Sequence, residues 1–133
     1  MGVRTFAGFV AAIALLALTA PLLAHHSFAA EFDSNQTLKL TGVVTKVEWM
    51  NPHTYFYVDI KDQGTGKIVN WACEMGSPNG LTHQGWTRNT LKVGMVVSVD
   101  GTRAKDGSNK ANARSVTVDG KKLGAASSET TNP

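Results

Sequence analysis

Apolar and polar residues alternate in the middle of this chain, and the clearest case is residues 54–60. A period of two is typical of a β-strand with one buried face. The apolar positions of this segment are Phe56, Val58 and Ile60. We therefore expect Tyr55 and Tyr57 on the outer face, next to His53. The Asn51-Pro52 pair before the segment favours a turn, which places His53 at the beginning of a strand.

Similar patterns predict four more strands, at residues 38–49, 68–75, 95–102 and 113–118. In the first of these, the apolar phase changes at Gly42, where a glycine suits a bulge or a sharp bend. In the segment 68–75 the phase places Cys73 in the core and Asn70 and Glu74 outside. The sequence therefore predicts an all-β domain with a long, bent first strand.

A short helix is predicted between the third and fourth strands. Ser77 is suited to cap a helix and Pro78 to begin it, and Gly85 follows the helical turns. Trp86 comes next and is expected to close one end of the domain. Five strands with this helix are the layout of a five-stranded Greek-key barrel, the OB-fold. Another small β-sandwich or barrel is the alternative.

The first 24 residues have the pattern of a secretory signal peptide. Arg4 is their one charged residue, and the apolar run 6–18 is followed by small residues. We expect cleavage after Ala24, with cleavage after Ala29 as the alternative. The protein would then be periplasmic, with the domain at residues 25–123 and a disordered tail at residues 124–133. No membrane span is expected once the signal is removed.

Charge and cysteine content exclude some classes of protein. The formal charge of +3 falls to +2 when Arg4 is removed, which gives no argument for nucleic-acid binding. Cys73 is the single cysteine, so an intrachain disulfide cannot form. The chain has no Gly-x-Ser-x-Gly motif, no His-Glu-x-x-His motif and no phosphate-binding loop. We therefore expect that the protein is not an enzyme.

Histidines and a carboxylate give the chain a candidate metal site. Cleavage after Ala24 would give His25 a free α-amine, and this amine and the imidazole can chelate one ion. Nitrogen ligands favour Cu(II), the divalent ion that binds such groups most tightly. His26 and His53 are further candidate ligands, and Glu74 could bind the ion or orient an imidazole. Alternatively, the paired histidines are only a polar start, and His53 and Glu74 are ordinary surface residues.

A second hypothesis needs no metal. In an OB-fold the face of the second and third strands binds ligands. Here that face would carry aromatic and polar side chains that could contact a small molecule, a glycan or another protein. Its candidate residues are Tyr55, Tyr57, Asn70 and Trp86.

Several short motifs together resemble one protein family. They are Ala-His-His-Ser-Phe (24–28), Glu-Trp-x-Asn-Pro-His (48–53), Trp-x-x-Glu (71–74), Gly-Ser-Pro-Asn-x-Leu (76–81), Gly-Trp (85–86) and Lys-Asp-Gly-Ser (105–108). The chain resembles the small exported bacterial proteins called domain of unknown function 6152, from His25 to about Leu123. The resemblance implies export and a small β-barrel, and it leaves the activity open. Its motif residues here are His25, His26, His53, Trp71, Glu74, Ser77, Pro78 and Trp86.

Overall fold

A computed structural model describes residues 28–129 of the chain. Two short helices, α1 (Phe28–Glu31) and α2 (Pro78–His83), accompany six strands. The strands are β1 (Phe32–Glu48), β2 (Tyr55–Lys61), β3 (Ile68–Glu74), β4 (Val96–Ala104), β5 (Lys110–Val118) and β6 (Lys121–Gly124). The prediction of an all-β domain with a short helix between the third and fourth strands is confirmed.

The strands form a hydrogen-bonded ring. Their order is β3-β2-β1-β4-β5-β6, and each neighbouring pair in this order is antiparallel. The ring closes where β3 and β5 pair in parallel, with Cys73 opposite Ala111 and Glu74 opposite Asn112. The sixth strand was not predicted, and it pairs with β5 after the turn at Asp119 and Gly120. Strand β5 begins at Lys110, earlier than the start predicted at residue 113.

Strand β1 contacts two neighbours because it is long and changes partner along its length. It pairs with β4 up to Val43 and with β2 from Val43 onward. Gly42 lies at this crossing, where a Cβ atom would come within 2.2 Å of the carbonyl oxygen of Asp59. The register shift lies just beyond, between Val44 and Lys46. The predicted bend is therefore explained by a close approach of two strands.

The core lies inside the ring and follows the predicted phases. Phe56, Val58 and Cys73 are fully buried, together with Leu81 of α2. Ser77 caps α2, as predicted, by accepting a hydrogen bond from the Gly80 backbone N–H at 3.1 Å. A smaller, separate cluster of Phe28, Phe32 and Ala104 packs α1 against β1 and β4.

The C-terminal segment was expected to be disordered from Gly124, and residues 124–129 are instead attached to the domain. Ala125 is buried, and its backbone N–H donates to the Arg114 carbonyl at 2.9 Å. Its own carbonyl accepts from the Gly76 N–H at 2.9 Å. Small residues fit here because little space separates this segment from residue 76. Residues 130–133 and the predicted signal peptide lie outside the described residues.

Within residues 28–129 no helix has the length and apolar character needed to cross a membrane.

Candidate functional site

His53 and Glu74 meet at one end of the β2–β3 pair. Tyr55 is the first residue of β2 and lies directly opposite Glu74, the last residue of β3. His53 precedes β2, after the corner at Pro52, so its ring points back toward the same end of the pair. Its Nδ1 atom lies 3.8 Å from Glu74 Oε1. From the sequence, pairing of the second and third strands could bring the two side chains onto one surface, but their separation in the chain did not establish that they meet.

Glu74 is buried, although its strand phase placed it outside. Only 4% of the residue is exposed. The phase is correct, because Glu74 points away from the core that contains Cys73. The outer face is covered at this point by Tyr55, His53 and a lysine from β5, and pattern alone cannot reveal such a cover. The expectation of an exposed Glu74 was therefore wrong.

The two oxygens of Glu74 have different surroundings. Tyr55 donates its hydroxyl hydrogen bond to Oε2 at 2.7 Å, and Lys110 Nζ lies 3.5 Å from the same atom. Oε1 faces His53 Nδ1, which is buried and has no hydrogen-bond partner among residues 28–129. A buried polar atom without a partner costs free energy.

Lys110 also binds Glu31 of α1, so one ammonium group lies between two carboxylates. Burial by itself would lower the pKa of Lys110. The hydrogen bond to Glu31 and the charges of Glu31 and Glu74 outweigh burial and raise the pKa, so the group stays charged. Burial, followed by the hydrogen bond to Glu74, raises the pKa of Tyr55, so its hydroxyl remains a donor at neutral pH.

An open cavity of about 550 Å³ adjoins these residues. Tyr55 and Lys110 line it from the strands, Ala30 and Glu31 from α1, and Lys105 and Asp106 from the β4–β5 loop. Lys110 Nζ lies 5.5 Å from the centre of the Tyr55 ring. The cavity therefore combines one aromatic face with charges of both signs.

The other residues proposed for an aromatic face do not join this site. Tyr57 donates to Glu48 at 3.2 Å and lies beside Lys46. Asn70 is exposed and bonds Asp59, at a position about 13 Å along β3 from Glu74. Trp86 is only 1% exposed, and its Nε1 donates to the Gly124 carbonyl at 2.7 Å. Placing Trp86 on a ligand face was wrong, because its side chain is buried in the core cluster.

No group of three or more His, Cys, Asp or Glu side chains able to hold a metal occurs in the described part of the chain. His53 and Glu74 form a pair, and His25 and His26 lie outside the described residues. The His53–Glu74 pair alone could contribute one nitrogen ligand and one oxygen ligand to a metal ion. A complete site would need further ligands.

Lys110 and Glu31 are site residues that the sequence did not indicate. They are far apart in sequence, and neither belongs to a recognisable motif. Lys110 reaches Glu74 because β5 pairs in parallel with β3, a contact between strands distant in the chain. Only the closure of the ring brings Lys110 to Glu74, and sequence patterns do not specify that closure.

The fold and site define a small all-β domain with a buried polar cluster beside an open cavity. The sequence matches the model of a family of unknown function, DUF6152, over residues 12–113. The chain therefore belongs to this family. No curated protein matches it.

A similar solved structure is that of the ZRD-deleted mutant of TiaS in complex with agmatine, with 20% sequence identity and a TM-score of 0.47. The match covers 65% of this chain and 22% of that chain, so the matched region spans about a fifth of the length of that protein.

Proposed function

We propose that this protein is an exported, periplasmic metal-binding protein that holds one copper ion with His25, His26 and His53, and with Glu74 as a ligand or orienting group. The observation that carries the proposal is the buried, unpartnered Nδ1 of His53, 3.8 Å from Glu74 Oε1. This gap is shorter than two typical metal–ligand bonds of about 2.0–2.2 Å, so one ion can contact both atoms. The buried carboxylate supplies the negative charge that a cation needs.

The position of α1 supports the participation of the terminal histidines. Ala30 and Glu31 line the same cavity as Tyr55, whose hydroxyl binds Glu74. His26 is two residues before Phe28, and two residues span at most about 7 Å. His25 and His26 therefore lie within a few residues of a helix that lines this cavity.

We further propose that the hydrogen-bonded ring is an OB-fold barrel. The strand order and the parallel contact between β3 and β5 support this assignment. OB-folds bind ligands on the face of the second and third strands and at the β1–β2 and β4–β5 loops. His53 precedes β2, and Lys105 and Asp106 follow β4, so the candidate site has the location that this fold favours.

Copper titration of matched forms tests the metal site. The mature chain from His25 is compared with a form carrying one extra N-terminal Gly and with His25→Ala, His53→Ala and His83→Ala variants. The extra residue removes the α-amine from His25 and should weaken binding strongly. His25→Ala and His53→Ala should each cost more than tenfold, or about 1.4 kcal/mol. His83 is exposed at the end of α2, so His83→Ala serves as the control and should bind copper as tightly as the unchanged chain. Equal binding by all forms would exclude the site.

The cavity favours a second function, the binding of a small molecule without a metal. A volume of about 550 Å³ is within the usual range of ligand sites. Tyr55 offers an aromatic surface there, whereas Tyr57 lies outside the cavity. A screen of small polar compounds by thermal shift on metal-free protein tests this function. A true ligand should lose its effect in a Tyr55→Ala variant and keep it in Tyr57→Ala.

A further inference from the structure

Strands β3 and β5 pair only as far as Glu74 and Asn112, and residues 125–129 lie where the two strands separate. The Ala125 N–H donates to the Arg114 carbonyl on one side, at 2.9 Å. On the other side the Gly76 N–H donates to the Ala125 carbonyl, also at 2.9 Å. A peptide strand that binds to a sheet makes backbone hydrogen bonds of this kind. We call residues 125–129 the strap and the surface beneath it the seam groove, which is formed by Gly76, Gly80, Thr102, Asn112 and Arg114.

The first half of the seam groove has room for small side chains only. Ala125 is fully buried. A Cβ atom at Gly76 would lie 2.3 Å from the Ala126 carbonyl oxygen, and one at Gly80 would lie 3.3 Å from the Ala126 Cβ atom. Glycine at position 76 therefore lets the backbone of the strap approach, and a side chain larger than that of alanine does not fit at position 125.

Polar side chains of β4 and β5 bind the second half of the strap. The Ser127 hydroxyl donates to Asn112 Oδ1 at 2.5 Å. Glu129 Oε2 accepts a hydrogen bond from Thr102 Oγ1 at 3.3 Å and lies 3.7 Å from Arg114 Nε. Thr102 and Asn112 are almost completely buried, and the hydrogen-bond partners of their side chains are strap residues. Buried polar groups need such partners, so the seam groove is matched to a hydroxyl group and a carboxylate.

We propose that the seam groove is a binding site for an extended peptide segment of another protein, and that the strap occupies it as an internal ligand. The contacts define the chemistry of the segment. It has a small residue in the place of Ala125, a hydroxyl residue two positions later and an acidic residue two positions after that. The site needs no metal ion, so it is independent of the function proposed above.

The strap is suited to being replaced by such a segment. Its largest apolar side chain is that of alanine, so hydrophobic burial holds it only weakly. Ala126 has a φ of 48°, in the left-handed region that is unfavourable for residues other than glycine. Both features favour a strap that can leave while the ring of strands stays folded.

A variant with an open groove tests the site directly. Ala125→Leu in the full chain should displace the strap, because leucine does not fit at this position. The probe is a synthetic peptide with the sequence of residues 124–129, Gly-Ala-Ala-Ser-Ser-Glu, with both ends blocked. It should bind this variant and shift the NMR signals of the Gly76 and Arg114 amides. Binding to the wild type should be about tenfold weaker or more, because the attached strap competes at an effective concentration on the order of millimolar.

Matched controls separate recognition from non-specific binding. A peptide carrying Ala125→Leu should not bind, and one carrying Ser127→Ala should bind about threefold to tenfold more weakly, because it lacks the hydroxyl that donates to Asn112. The chain variant Ala29→Leu changes an exposed alanine of α1 and should behave as the wild type does. If Ala125→Leu does not fold, the same peptides are titrated into the wild type at millimolar concentration, where only the unchanged peptide should shift the two signals strongly.

Hydrogen exchange of the wild type gives a second measurement without any variant. The Gly76 and Ala125 amides should be protected at least about tenfold less than the amides of β2, which lies between β1 and β3. Equal protection would mean that the strap leaves only when the whole domain unfolds, and it would reject the proposal. Failure of the peptide to bind the open groove, or equal binding of the Ala125→Leu peptide, would also reject it. Dimers of the wild type that exchange straps, without binding of the free peptide, would assign the groove to a second copy of this chain instead.

Discussion

Glu74 shows how much one residue's surroundings can differ from its place in a strand pattern. Alternation along β3 correctly puts it on the face opposite Cys73, but the residue is 4% exposed. Its cover comes from Tyr55 on the paired strand and from Lys110 on a strand distant in sequence. The sequence indicated through β2 and β3 that His53 and Glu74 could share one surface, whereas it gave no sign of the contribution of Lys110.

The hydrogen bond from Tyr55 to Glu74 should stabilise the fold measurably. A Tyr55→Phe variant leaves the buried carboxylate without its 2.7 Å donor, and bonds to charged groups contribute about 1.5–3 kcal/mol. We expect a loss of that size in the free energy of unfolding, measured by urea denaturation. Tyr57→Phe is the matched control, because its 3.2 Å bond to Glu48 is accessible to water and should matter less. Equal losses would show that burial of Glu74 has no such effect.

The buried Cys73 thiol should make the free energy of unfolding decrease at alkaline pH. Burial raises its pKa to about 12, whereas in the unfolded chain the thiol titrates near about 8.5. Above that value the unfolded chain loses a proton that the folded chain keeps, so stability is lost as the pH rises. Relative to Cys73→Ala, the wild type should lose up to about 1.4 kcal/mol per pH unit between about pH 9 and 11. If the free energy of unfolding of the two proteins changes equally with pH, the burial of this thiol is contradicted.

At the scale of elements, alternation located five strands and the capping signals located α2. The strand residues that alternation did not predict were missed for physical reasons. Strand β6 has only four residues, with two lysines before Leu123, so it lacks an apolar run. The start of β5 at Lys110 follows a loop of polar residues and carries no strand signal. In β1 the phase change at Gly42 was visible, and the structure shows that it marks the crossing from β4 to β2.

Gly42 should tolerate no side chain, because a Cβ atom there would lie 2.2 Å from the Asp59 carbonyl oxygen. The two strands would have to separate, and we expect Gly42→Ala to cost about 1–3 kcal/mol or more in the free energy of unfolding. Gly64→Ala is the control, since its nearest neighbour is the Asp62 carboxylate at 3.4 Å in an exposed turn. That change should stay within about 0.5 kcal/mol. Similar stabilities of the two variants would show that β1 and β2 have room at this crossing.

At the scale of the whole molecule, the decisive contact is the parallel pairing of β3 with β5. It closes the ring and brings Lys110 to Glu74, and with it the docked helix α1. Local patterns predict strands but not this long-range pairing, so the all-β class could be read from the sequence and the cavity could not. The attachment of residues 124–129 was missed for a similar reason, because small residues carry no local signal for the gap they fill.

The most direct test of the account is metal analysis of the exported protein with its natural N-terminus, combined with its intact mass. The account predicts a mass that begins at His25 and one copper ion per chain after exposure to a small excess of copper and removal of unbound metal. A chain that begins at Ala30 would lack both terminal histidines. Either that start, or a start at His25 with no bound copper, would contradict the proposed metal site.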